Sequence, residues 1–208
     1  MTSRQGYSKT VCELSRGKHV KITALPISSN VGEPGQKLLS PLTDRLRRLV
    51  VFGSWSTRQR VFERGLDDVK HACQVLELEK IIDIGPSDGM QPSQIGGIEV
   101  ERVGEKTAAE VSVLLTDSVA GFFDYPPEFL AKSGVFAAYC AHALLPVGSG
   151  ASAVPADGLE AGKHYWLAGA SAAKISLCEG QLIADNACSW YQKHALSIHA
   201  STLASFLK

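Results

Sequence analysis

Four short strand-like runs constrain this chain more than anything else in it: 48–53 (RLVVFG), 80–84 (KIIDI), 98–103 (IEVERV) and 119–123 (VAGFF). The first and last are continuously apolar. That pattern suits strands buried on both faces, as in a parallel sheet. Three of the runs stop at a glycine, namely Gly53, Gly85 and Gly104. Between and after them the apolar period changes from strand-like to helical. In 56–78, Val61, Phe62, Leu66, Val69, Ala72, Cys73 and Leu76 recur at helical spacing, with Ser56 or Thr57 as candidate caps and Gly65 as a candidate break. Residues 107–117 form a second helix, with Thr107 and Glu110 as a capping box. Residues 133–144 form an apolar third, stopped by Pro146. A late strand follows at 164–168, then terminal helices at 184–193 and 194–207.

Strands alternating with helices imply parallel pairing through right-handed crossovers. The predicted fold is α/β: a Rossmann-like, three-layer parallel sheet with helices on both faces, over residues 45–208. Upstream, 18–27 (KHVKITALPI) reads as one extended segment, and the turn formers Ser28 to Gly35 open a linker to residue 44. Residues 1–44 are therefore expected to be an arm and interdomain linker. The loop at 86–96 is rich in Pro, Ser, Gly and Asp.

Charge excludes one class of partner. The 21 basic and 21 acidic residues cancel, and a nucleic-acid coat needs a basic excess to neutralise phosphates. Five cysteines, an odd number without metal-ligand spacing, fit a reducing and cytoplasmic setting. The N-terminus has no apolar signal-peptide core, and no window approaches the ~20 apolar residues of a membrane span.

Ligands of doubly wound sheets bind at the carboxyl ends of the strands, so the loops there hold the candidate site. Gly53, Ser54, Thr57 and Arg58 combine a small residue, a helix start and a cation, which suits a diphosphate; a tight turn with a surface arginine is the commoner meaning of such a stretch, because charged helix starts are common. There is no GxGxxG and no Walker lysine. Lys132, Ser133 and Gly134 open the apolar helix with a cation, a cap and a small residue, either as an anion site or as an ordinary capped start. Asp124 and Glu128 are candidate sugar-hydroxyl acceptors or plain loop residues. The backbone at Gly85 and Gly104 is free to meet a base edge. His142, inside the apolar helix, reads as a satisfied core histidine, and His194 and His199 are poorly spaced for a metal. No catalytic residue, metal or cofactor is assigned.

Four segments of the chain resemble the C-terminal, nucleotide-sugar-binding domain of retaining GT-B-fold glycosyltransferases, the glycosyl transferases group 1 family. ITALPISSNV (22–31) is similar to the interdomain stretch, and RLVVFGSWSTR (48–58) to the first donor-domain strand and phosphate-facing loop. SVAGFFDYPPEFLAKSGVFAAYCAHALLPV (118–147) is similar to the donor-site strand, loop and helix, and WYQKHALSIHASTLASFL (190–207) to the terminal helices. The resemblance implies a nucleoside-diphosphate sugar as donor. Ribose and phosphate would lie at Lys132-Ser133-Gly134, the diphosphate at Gly53 to Arg58, and the base near Gly85 and Gly104. It also implies that an N-terminal domain, missing here, or a separate partner chain holds the acceptor. Self-association into a homo-oligomer is a further expectation. The family's two glutamates, separated by seven residues, are absent; Ala131 and Tyr139 stand at their places, with Tyr139 the candidate at the ribose position. Beside glycosyl transfer stand a non-catalytic nucleotide-sugar-binding or interaction module and, behind both, a nucleotide-sugar epimerase.

Overall fold

A computed structural model of the chain describes residues 5–15, 22–35, 39–86, 91–169 and 174–207. In chain order its elements are α1 (Gln5–Leu14), β1 (Leu46–Phe52), α2 (Trp55–Arg64), α3 (Leu66–Val75), β2 (Lys80–Ile84), β3 (Gln94–Ile95), β4 (Ile98–Gly104), α4 (Ala108–Thr116), β5 (Ser118–Phe123), α5 (Gly134–Ala141), β6 (Leu145–Gly148), β7 (Trp166–Leu167), α6 (Leu177–Gln192) and α7 (Leu196–Ser205). Short 3-10 turns occupy Leu42–Asp44 and Pro127–Lys132.

The strands form one sheet in the order β3-β4-β2-β1-β5-β6-β7. Every pairing is parallel except that of β3 with β4. The chain winds outward from β1 through β2 to β4, returns to β5 beside β1, and winds outward the other way. The order therefore reverses between β1 and β5, and crevices at that edge are where such sheets take ligands. All six residues of β5, at the centre, are buried. Alternate strand residues feed the two faces. Leu49, Val51 and Ile81 pack with Val61, Val69 and Cys73 of α2 and α3. Val50, Ile82 and Ile84 pack with Val111 and Leu115 of α4 and Phe136 to Ala141 of α5. The amphipathic helix α6 reaches both, with Ile183 and Ala184 on the first face and Ala187, Trp190 and Tyr191 on the second.

Several boundaries depart from those the sequence suggested. The stretch 56–78 is two helices, α2 and α3, divided at Gly65, and Ser54 takes the cap position in place of Ser56 or Thr57. Helix α5 ends at Ala141, well short of Pro146: Ala143 adopts a positive φ of 49° and turns the chain into β6, which contains the proline. Pro146 pairs with Gly121 of β5, while β7 begins only opposite Val147. At that level β6 is an edge, where a missing N–H is tolerated. Helix α6 starts at Leu177, earlier than the apolar pattern indicated, because Ser176 and Glu179 close a capping box there. Of the extended segment expected at 18–27, residues 18–21 lie outside the described residues and 22–27 belong to no named strand. The segment expected as a linker lies along the domain. Ile27 N–H donates to Ala131 O (2.8 Å) and Asn30 N–H to Gly134 O (3.4 Å), while Glu33 accepts from Tyr191 Oη (3.0 Å) and Leu196 N–H (2.8 Å).

Two histidines sit in the core with different consequences. His142 is satisfied at both nitrogens, by Ala138 O (2.8 Å) and Ser112 Oγ (2.7 Å). His194 is buried between the rings of Trp190 (4.2 Å) and Tyr191 (5.3 Å), and its Nε2 has no hydrogen-bond partner. Burial, helped by the neighbouring His199, pushes the His194 imidazole down to about 4 from its ordinary value of 6.5. The folded state therefore keeps His194 neutral while the unfolded chain takes up a proton below pH 6.5. Stability is fully present above that pH and is lost as pH falls toward 4. Between pH 7.5 and 5 this site is expected to remove about 2 kcal/mol. Urea unfolding at the two pH values tests it: His194→Phe should flatten the difference by that amount, and an unchanged difference refutes the assignment.

Candidate functional site

At the carboxyl ends of β1, β2 and β4 lies a cleft of about 340 Å³, bounded by Gly53, Ser54, Gly85, Pro86, Glu105 and Lys106. Phe52, Ile84 and Val111 give it an apolar floor, and Asn30 of the N-terminal segment closes one side.

A knot beneath the cleft fixes its shape. Arg58, from the first turn of α2, is fully buried. Its Nε donates to Gly53 O (3.0 Å), its Nη1 to Asp83 Oδ1 (2.6 Å), and its Nη2 to Pro86 O. One side chain thus ties the end of β1 to the end of β2. Gly53 N–H donates to Ile84 O (3.3 Å), and Gly85 N–H to Gly104 O (3.0 Å), so three strand ends are laced together. Gly53 and Gly85 have φ of 133° and 141°, values that L side chains rarely adopt. A Cβ on Gly85 would stand 2.5 Å from Gly53 O. The backbones meet here because Gly85 has no side chain. Burial pushes the Asp83 carboxyl up from its ordinary value, against the opposing pull of Arg58.

The rim is polar. Helix α2 starts with Ser54 at its cap, but the Ser54 hydroxyl turns to Ser56 Oγ (3.2 Å) and Thr57 Oγ1 (3.0 Å) and caps no N–H group. The first-turn N–H groups of a helix lack intrahelical partners and carry its positive end. Across the cleft, Thr107 and Glu110 fill the start of α4 with a capping box, which holds the Glu110 carboxyl below its ordinary value. Lys106 is a third exposed, with Glu110 at 3.7 Å, and offers a cation to the cleft.

The twelve candidate residues therefore divide. Gly53, Ser54 and Gly85 line the cleft, and Thr57 and Gly104 touch residues that do. Arg58 lies beneath it with each guanidinium nitrogen engaged. Its charge serves Asp83 and the two carbonyls, so it supports the rim from below and has no surface of its own.

The α5 entrance supplies no wall of the cleft but adjoins it through Asn30 and through Val135, which lies against Gly53. Ser133 caps Phe136 N–H (3.1 Å), and Gly134 lies against Asn30, whose Cβ would be 3.0 Å from a Cβ at 134. Lys132 Nζ donates to Tyr7 Oη of α1 (3.1 Å) and lies 5.6 Å from the Phe129 ring. Asp124 is half-buried at the end of β5 and Glu128 is exposed. Tyr139 reaches no mouth. It is fully buried, donates to Phe122 O (3.1 Å) and Val50 O (3.3 Å), and fills the space that Gly121 leaves open. Its place is the core between α5 and the sheet, and burial raises its hydroxyl well above the ordinary value. Ala131, at the other expected acidic place, is buried too.

Sequence reasoning passed over Asn30 and the apolar floor. Asn30 has a local signal only for a turn; its position over the cleft comes from the N-terminal segment crossing α5, a contact that spans more than 100 residues.

No family model and no curated protein matches the sequence. Solved structures do. Over 98% of this chain, sucrose-phosphate synthase from Thermosynechococcus elongatus is similar at a TM-score of 0.58 and 13% identity, with 56% of that chain covered. The GtfA/B complex is similar over 99% of this chain (TM-score 0.58, 11% identity, 44% of that chain). An alpha-glucosyltransferase in complex with UDP is similar over 97% (TM-score 0.56, 7% identity, 64% of that chain). The chain spans about half the length of the structures it matches. At these identities the likeness is one of fold: a Rossmann-like α/β architecture matching one half of a GT-B glycosyltransferase. Among the described residues no helix is long and apolar enough to cross a membrane.

Proposed function

We propose that this chain is the donor-binding half of a glycosyltransferase, and that the nucleoside diphosphate of a nucleotide sugar occupies the cleft at the ends of β1, β2 and β4. The observation that carries the reading is the meeting of Gly53 and Gly85 beside the open start of α2. It leaves a recess walled by Gly53, Ser54 and Gly85, with Lys106 opposite. A diphosphate there gains from the helix end and from a charge-assisted bond to Lys106. The base rests toward Gly104 and Val111, on the apolar floor. UDP in one of the structures of like fold supports the same ligand class. In transfer, charge develops on the leaving diphosphate, and the same donors stabilise it. The acceptor comes from a second domain or chain. Helix α7 has no buried side chain and exposes Leu196, Ile198 and Leu203, which supports pairing on that side.

A second reading, a binding module without transferase activity, draws on the α5 entrance, where Ser133, Gly134 and Lys132 are already occupied by the chain's own groups.

Thermal unfolding with UDP, GDP, dTDP, ADP and their sugars tests the proposal, since a ligand of the native state raises the midpoint. One nucleotide should stabilise the chain, and Lys106→Ala should weaken its binding about tenfold. Loss on Lys132→Ala instead would move the diphosphate to the α5 entrance. Silence across the panel would refute the donor reading. Binding without release of sugar, even with a supplied acceptor domain, would favour the module.

A further inference from the structure

At the other end of the sheet, a cavity of about 370 Å³ lies among the residue preceding β1, the turn before β6 and helix α6. Arg45 forms its inner wall and is only 6% exposed. Its Nε donates to Ser40 O (2.9 Å), and its Nη1 to His142 O (3.1 Å) and Ser118 O (3.3 Å). Its Nη2 is buried and has no hydrogen-bond partner. Among the described residues no carboxylate forms an ion pair with Arg45. An arginine keeps its charge at neutral pH; Asp117 and Asp185 attract this one without pairing with it, and burial opposes the charge more strongly than they favour it. Three bonds to main-chain oxygens hold the guanidinium plane rigid in the cavity wall.

We propose that this cavity binds a small ligand through a carboxylate or phosphate group drawn to the guanidinium of Arg45. Asp185 refines the class. It lines the same cavity from an exposed position on α6, its Oδ1 held by Gln181 Nε2 (2.8 Å). A phosphate dianion meets repulsion there, whereas a carboxylate next to an ammonium group satisfies both charges. Ser189 and Gln192 supply neutral hydrogen bonds. The seven residues of β1 separate Arg45 from Gly53, roughly 26 Å over eight steps at 3.3 Å per residue. The site is thus distinct from the nucleotide cleft and does not depend on that reading.

Cys188 lines the cavity and reports on it. Its thiol is half-buried, and burial raises it above the ordinary value, so alkylation is slow enough to follow. Cys178, exposed on the same helix, is the internal control. The full chain is treated with iodoacetamide in the presence of glycine or inorganic phosphate, with sodium chloride at matched ionic strength, and each cysteine is followed by peptide mass spectrometry. Glycine at about four times its Kd should slow Cys188 about fivefold, with Cys178 unchanged. Phosphate should protect less in the native chain and more in Asp185→Asn. Arg45→Gln should abolish protection by both. If that variant does not fold, the reversal in Asp185→Asn decides alone, since Asp185 is exposed. No protection by either probe, equal slowing of both cysteines, or no response to Asp185→Asn would each overturn the proposal and leave Arg45 as a solvated structural tie.

Discussion

Replacing Arg58 by alanine should destabilise the chain by about 3–5 kcal/mol, the range for removing one partner of a buried ion pair. Arg58 and Asp83 are 0% and 1% exposed at their side chains. The Asp83 Oδ2 already has no hydrogen-bond partner, and Oδ1 relies on Arg58. Alanine would leave the carboxyl buried without a donor, so the acid must take up a proton on folding or draw water into the sheet edge. Gly53 O and Pro86 O would lose the same donor. Removing the pair together costs less than removing one half of it. Arg58→Met with Asp83→Leu keeps the volume, ends the charge problem, and should recover most of the loss. Urea unfolding of the single and double variants measures the coupling. A single-variant loss below about 1 kcal/mol would show that the pair contributes little, as exposed pairs do. Because Arg58 has no exposed surface, any loss of nucleotide binding in Arg58→Ala would come through the displaced ends of β1 and β2.

What the sequence showed follows how local each signal is. The strand at Lys80–Ile84 and the capping box of Thr107 with Glu110 are written in consecutive residues, and both stand as read. Of the three strand-ending glycines, Gly53 and Gly85 line the cleft and Gly104 does not. Arg58 was harder to read. Its role depends on Asp83, 25 residues away, and an arginine at a helix start looks the same whether it faces solvent or a buried acid. Tyr139 shows the converse. The resemblance puts it where the family has its second glutamate, but α5 is apolar nearly all round, so periodicity gives no phase. The deciding fact is Gly121 on the facing strand, whose missing side chain makes room for the ring. Pro146 reads as a helix stop because proline breaks helices more often than it sits in strands. Ala143, with its left-handed backbone, does the stopping, and alanine gives no signal for that.

The second large effect is expected at Gly85. An alanine there must adopt φ near 141°, and its Cβ would lie 2.5 Å from Gly53 O and 2.7 Å from Arg58 Nε. The backbone strain alone costs about 1–3 kcal/mol. The overlap cannot be relieved by rotating a side chain, because the nearest atom is main chain; forcing an extra carbon into a packed place adds about 1–3 kcal/mol. The ends of β1 and β2 must move apart, and the movement acts on the cleft walls directly. Gly104→Ala separates backbone strain from contact. Gly104 has a φ of 70° with nothing within 4 Å of a Cβ, so its substitution should cost only about 1 kcal/mol and leave the recess between Gly53 and Gly85 intact. Unfolding free energies of the two variants, measured with and without the nucleotide that stabilises the native chain, test both claims. Gly85→Ala should lose stability and the nucleotide response together, while Gly104→Ala keeps most of both. If Gly85→Ala retains the full nucleotide response, the ligand does not sit between these two strand ends, and the proposed cleft is the wrong place.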